Sequence, residues 1–308
     1  MADKKRAVET EMKKSREKRC LAGWFFVAAD FLILLLFSLA APSVRPLLPM
    51  IGLVGNMLIS LWLAWEAFGV KKSLCLWGIS FVVTMILENL SMATGFPYGV
   101  FEHFLPGPRL GTVPLVIGFV YFNYCVIGWI FADLLIGDIS GDRVKLLGRP
   151  AIAAFVGAAM DALYDPIGSL LLKQWQYPDG GGFFGVPLRN TIGWLVNLFL
   201  TLLLFETVLF VFRKYAPPTD CDGTAKPFHL QNSILLLLQP VPALLCWKLL
   251  PDETVAGCTG MEWSSAALYE TVAVLGILIM GSYFSAGALR YYQRKKEAAI
   301  LLEKNNRW

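Results

Sequence analysis

The sequence predicts an all-α fold, a polytopic membrane bundle of about eight transmembrane helices with re-entrant or capping outer loops. Three observations predict it. The 308 residues are 56% hydrophobic and 16% charged, with a mean hydropathy of +0.57; a soluble domain carries about 25% charged residues. The apolar residues come in runs of about 20, the length that crosses a hydrocarbon core. The basic residues sit at the ends of those runs, with a strong bias between the two sides.

Taken in order, residues 1–19 form a basic arm. The spans are approximately 21–41, 51–68, 73–93, 113–136, 150–172, 189–212, 231–250 and 265–289. Residues 20–290 read as one transmembrane domain, and 291–308 as a basic tail. The first apolar run is too long for the core of a signal peptide. With the N-terminus cytoplasmic, 22 of the 27 Lys and Arg fall on the inner side and 5 on the outer. The positive-inside rule then places both termini in the cytoplasm. A net charge of +4 held at span ends is no nucleic-acid footprint, so no nucleic-acid partner is expected. Cys75, Cys125 and Cys246 fall within spans, where a thiol is a small buried hydrophobe.

This topology puts two unusual connections on one side. TGFPYGVFEHFLPGPRLGTVPL follows the third span and KQWQYPDGGGFFGVPL the fifth. Both are rich in Gly, Pro and aromatics, which suits a folded cap at the membrane surface. A repeat links them. Glu88 precedes Val113-Pro114-Leu115 by 25 residues, and Asp161 precedes Val186-Pro187-Leu188 by 25. An offset of 73 relates the copies. The two spans run in the same direction, so the repeat axis lies along the membrane normal.

Asp161 and Asp165 are four apart, on one face of the fifth span. A charged side chain at the bilayer centre costs about 2.5–3.5 kcal/mol on an insertion scale, so such acids are functional candidates by default. Pro166 removes a backbone donor beside them and predicts a kink. Glu88 lies near the outer end of the third span. Asp30 and Glu66 are weaker candidates. Asp133, Glu206 and Glu270 carry no motif and read as interhelix hydrogen-bonding groups. His103 and His229 fall on opposite sides, which argues against a histidine metal site, and HExxH, DDxxD and GxSxG are missing. No metal site is expected.

Tyr98, Tyr164, Trp175, Phe183 and Trp194 crowd the same two connections, where an interfacial aromatic belt is the plainer explanation. Beside buried acids they have another use. Aromatic faces stabilise a cation by about 0.5–2 kcal/mol, and a carboxyl in an apolar site keeps its proton and acts as an acid. Together these are equipment for protonating an alkene and holding the resulting carbocation.

At these residues the chain resembles a known family. TGFPYG at 94–99, GPRLGTVPL at 107–115, MDALYDP at 160–166 and the pattern WxYxxGGGFFGVPLxNxxGW at 175–194 resemble the integral-membrane carotenoid-biosynthesis family, which includes carotenoid 1,2-hydratases and bisanhydrobacterioruberin hydratase. The resemblance covers about residues 78–213. It implies cofactor-free addition of water to the terminal double bond of an acyclic ψ-end carotenoid. It also implies a carotenoid or polyene lipid as partner, in a bacterial or archaeal cell membrane. Asp161 and Asp165 would divide the acid and base roles, Glu88 would join them, and Asn190 would orient water. Tyr98, Tyr164, Trp175, Phe183 and Trp194 would line the substrate site. The alternatives are a cyclase or isomerase using the same protonation, and a proton-coupled transporter of a lipophilic solute.

Overall fold

A computed structural model describes residues 2–39, 48–137, 142–212 and 225–305. The helices are α1 (Ala2–Leu39), α2 (Leu48–Thr94), α3 (Val116–Ile136), α4 (Asp142–Pro166), α5 (Leu188–Val211), α6 (Pro227–Leu238), α7 (Val241–Leu249) and α8 (Ser265–Asn305). Among the described residues, seven helical segments are long and apolar enough to cross a membrane. One of them holds two crossings. Gly69 interrupts α2 with φ +71 and ψ 167, a conformation that favours glycine. Asn56 before it and Glu88 after it line the same cavity. Between them Phe68 packs on Trp129 and Phe205, near the far ends of α3 and α5. The chain therefore reverses at Gly69, and the spans expected at 51–68 and 73–93 are the two limbs of α2. α6 and α7 form one crossing, broken at Pro240, which has no backbone N–H to give. The basic arm and tail continue α1 and α8 as helix.

α3 sits at the centre, with every residue from Tyr121 to Leu134 buried. A helix apolar all round belongs in a core. Trp65 on α2 and Phe155 on α4 instead turn their rings outward, as lipid-facing residues do. Polar side chains pin α3 to its neighbours. Ser60 bonds Asn123, and Asn232 Nδ2 donates to the Ile127 carbonyl at 3.0 Å. Such ties hold helices together where lipid removes the hydrophobic drive for association.

The offset of 73 reappears as geometry. It carries the second limb of α2 onto α4 and α3 onto α5. Strand β1 (Glu102–His103) pairs antiparallel with β4 (Trp175–Gln176), Glu102 opposite Gln176 and His103 opposite Trp175. Each residue thus faces the counterpart of its neighbour, the register a two-fold axis imposes. Tyr121 and Trp194, 73 apart, stack at 3.9 Å and 9°. Asp133 and Glu206, also 73 apart, share Arg149.

Three connections close one end of the bundle. The first carries β1 and the hairpin of β2 (Arg109–Leu110) with β3 (Val113–Pro114). The second holds β4. The third is the hairpin of β5 (Thr254–Ala256) with β6 (Glu262–Ser264), which lies in the segment after α7. Lys173 donates to the Ala256 carbonyl at 3.0 Å, and Phe184 meets the Trp263 ring.

The opposite end holds a buried ion network. Arg149 lies 2.9 Å from Asp133 and 3.1 Å from Glu206. Trp129 Nε1 donates to Glu206 at 2.6 Å, and Arg294 Nη2 to the Asp133 carbonyl at 3.0 Å. Asp133 and Glu206 therefore link helices, as expected. Glu270 does not: it lies exposed on α8. His229 belongs to this end, 3.6 Å from Asp133, and His103 to the other.

Candidate active site

A cavity of about 220 Å³ lies under the cap, and three carboxyl groups line it. Glu88 comes from the second limb of α2, Asp161 and Asp165 from consecutive turns of α4; they are 4%, 3% and 1% exposed. The helix does not stop at Pro166. It widens into a π turn over Ile167–Leu171, the local form the expected kink takes.

The carboxyls differ in what holds them. Asp165 is saturated. Tyr177 donates its hydroxyl at 2.9 Å, Asn190 Nδ2 donates at 2.5 Å, and Trp175 Nε1 completes the set. Trp175 and Tyr177 are two apart on extended chain, so both side chains reach the same face. Burial, and after it the Asp165 charge, push the Tyr177 hydroxyl well above its ordinary range, so it stays protonated and donates. Glu88 accepts one bond on each oxygen, from Tyr121 OH at 2.9 Å and from His103 Nε2 at 2.9 Å. Asp161 is the least supported. Asn190 Nδ2 reaches its Oδ2 at 3.2 Å, and its Oδ1 has no partner among the described residues.

Close approaches explain the glycines in these motifs. A Cβ on Gly168 would lie 2.5 Å from the Trp175 ring, and one on Gly193 would lie 2.2 Å from the Tyr98 ring. Glycine at both positions lets an aromatic ring rest against the helix, and so sets where Trp175 and Tyr98 point their polar ends.

Of the residues expected at the site, Glu88, Asp161, Asp165, Tyr164, Trp175, Asn190 and Trp194 line the cavity. Two do not. Tyr98 stands behind the wall, 1% exposed, edge-on to the Tyr121 ring and receiving Asn197 Nδ2 at 2.6 Å. Phe183 belongs to the tight turn, bridged to Val186 and edge-on to Phe184. Asp30 and Glu66 do not line the cavity. His103, Tyr121, Gln174 and Tyr177 line it and were not expected there. Tyr121 had a usable signal, since it stands 73 before Trp194. His103 reads in the sequence only as half of a metal pair with His229, and nothing there marks it as a partner for Glu88.

Fold and site together define a helical integral-membrane protein with a carboxyl-lined, aromatic-walled cavity near one end of the bundle. The chain belongs to the carotenoid biosynthesis protein family, whose sequence model matches residues 47–246. It is 32% identical over 123 residues to the bisanhydrobacterioruberin hydratase of Haloarcula japonica. That alignment spans 39% of this chain and 40% of the relative. No solved structure matches the chain.

Proposed function

We propose that the protein is a membrane hydratase that adds water to the terminal double bond of an acyclic, ψ-end carotenoid. One observation carries the reading: three buried carboxyls share one cavity but differ in hydrogen-bond support. A carboxylate that accepts several donors is stabilised as the anion. Asp165 has that support and Asp161 has not, so Asp161 carries the transferable proton, presented on the oxygen that faces the cavity. The alkene π pair takes this proton at the terminal-bond carbon bearing hydrogen. Positive charge develops at the tertiary carbon, between the Asp165 and Glu88 carboxylates and beside the Tyr121 and Trp194 rings that line the cavity. Water held by Asn190 Oδ1 forms the C–O bond, its surplus proton passes to Glu88, and a proton returns from Glu88 to Asp161. The net change is one water added, with no redox step and no cofactor.

The same protonation without water capture would give a cyclase or isomerase. A transporter needs a polar route to both faces, whereas the far end here is filled by the Arg149 network. In the membrane of a bacterium or archaeon, the basic arm and tail lie in the cytoplasm and the cap lies outside. A reporter after Lys226 reads cytoplasmic and one at Gly257 reads external.

The deciding experiment is expression in cells that make lycopene, with mass analysis of the pigments. A gain of one water per modified end supports hydration. Unchanged mass with altered retention transfers the site to cyclisation or isomerisation. Unchanged pigment across several acyclic carotenoids overturns the reading.

A further inference from the structure

The carboxyls occupy one end of the cavity. Its other end is built differently. Ile33 and Leu34 of α1, Gly52 and Met57 of the first limb of α2, and Pro242 of α7 line it. Ile33 and Leu34 lie outside residues 47–246, the stretch that matches the family. Exposure changes along the cavity as well. Glu88, Asp161, Asp165, Asn190 and Trp194 are buried, whereas Ile33, Leu34, Gly52, Met57 and Pro242 are all half-buried. Under the cap His103, Gln174 and Trp175 line the cavity half-buried as well, so the mouth is marked by its chemistry: it is the apolar end, and it lies between transmembrane helices.

We propose that this mouth, between α1, the first limb of α2 and α7, grips the apolar chain of the substrate, and that Gly52 sets how thick a chain passes. The proposal rests on the reading above, in which a linear polyene enters end first. About 220 Å³ is below the ~300–1,000 Å³ usual for a drug-sized ligand, so the cavity holds an end group and the rest of a long chain must leave it. The mouth is the apolar way out. Its amides are occupied. Asn56 Nδ2 donates to the Gly52 carbonyl at 3.0 Å, Gln239 Nε2 to the Leu235 carbonyl at 3.3 Å, and Asn123 is held by Ser60. No charged side chain lines this end among the described residues, so sliding a hydrocarbon past it strips no ion of water. At Gly52 a Cβ would sit 3.7 Å from Ile33 Cγ2, an ordinary contact. Alanine therefore fits, and a large side chain has to project into the opening.

The test uses the full-length protein in detergent. Binding of an acyclic polyene is read by the absorbance that co-elutes with protein, in an Asp161→Asn background that stops turnover. Gly52→Phe and Met57→Trp should each cut bound polyene by at least about ten-fold. Gly52→Ala and Leu58→Phe, the latter on the lipid face, should not. A short acyclic terpene with the same isopropylidene end fits inside the cavity and should bind all variants alike. If both plugged proteins elute as folded particles and hold the polyene as well as the parent, the mouth is elsewhere. Equal loss of the short terpene also overturns the proposal, because the plug would then be disturbing the carboxyl end. Should Gly52→Phe fail to insert, Met57→Trp carries the comparison alone. Failure of the hydratase reading shows in product mass and leaves this binding comparison intact.

Discussion

The protein buries two groups of carboxyls, one near each end of the bundle, and they are opposites in what surrounds them. Asp133 and Glu206 close on Arg149, with Arg294 on the neighbouring backbone. Among the described residues, Glu88, Asp161 and Asp165 meet only neutral donors and one histidine, around open space. A buried carboxylate with its own arginine is compensated and needs nothing more. Carboxyls facing a cavity with no arginine or lysine in its wall among the described residues leave unspent chemistry. The offset of 73 makes the contrast sharper, because both groups derive from matched positions of one repeat. Glu88 corresponds to Asp161, and Asp133 to Glu206. Asp165 breaks the symmetry: its counterpart is Met92.

The largest expected effect tests the open group. Asp161→Asn keeps size and hydrogen-bonding shape but removes the proton to be transferred. Loss of general acid catalysis costs about 10²–10⁴-fold, so carotenoid conversion in membranes should fall at least that far, with expression and melting temperature near wild type. Asp165→Asn should also disable turnover, by removing the anion that faces the developing cation. Near wild-type pigment conversion by both variants would return these acids to a purely structural role.

The next effect tests the closed group. Arg149→Met leaves Asp133 and Glu206 facing each other without their cation. Removing one partner of a buried ion pair costs about 3–5 kcal/mol, which should appear as a large drop in thermal stability in detergent. Asp133→Asn is milder, since Arg149 keeps Glu206. Its protein should be less stable yet convert substrate at the wild-type rate per folded molecule. If Arg149→Met lost activity while keeping its melting temperature, the two groups would not be the opposites described.

Tyr177→Phe probes the support of Asp165 and is smaller again. A hydrogen bond to a charged group is worth about 1.5–3 kcal/mol, so the rate should fall by roughly 10–100-fold while Trp175 and Asn190 hold the carboxylate in place. Equal rates would mean that the Tyr177 bond does not bear on Asp165 during turnover.

Much of this was legible beforehand because membranes simplify the problem. The spans follow from apolar length, and the two limbs of α2 from Lys71-Lys72 between two apolar runs. The carboxyl group followed from the cost of an intramembrane acid. What the sequence hid were residues whose role depends on the register of short strands. His103 reaches Glu88 because β1 pairs with β4, and no periodicity reports a two-residue strand. Tyr98 and Phe183 were misplaced for a related reason. Both sit in conspicuous motifs, but the motifs record close backbone packing, at Gly193 and in the triple-glycine turn, rather than contact with the cavity.

That distinction supplies the smallest effect and the finest test. Tyr98 is one step from the site. Asn197 Nδ2 gives it a hydrogen bond at 2.6 Å, and its ring packs edge-on against Tyr121, which holds Glu88. Tyr98→Phe removes the hydroxyl and keeps the ring against Gly193. Asn197 retains Thr84 Oγ1 at 3.3 Å and Thr201 at 3.1 Å, so no donor is stranded outright. A neutral hydrogen bond is worth about 0.5–1.5 kcal/mol net, and the rate should fall by roughly 2–10-fold through a less well held Tyr121. Phe183→Leu keeps an apolar group in the turn, where Phe183 meets Val186 and Phe184 and does not line the cavity, so its rate should match wild type. The pair of measurements separates a residue that acts through the wall from one that shapes the cap. A greater rate loss for Phe183→Leu than for Tyr98→Phe would put the turn, and not Tyr98, next to the reacting end of the substrate.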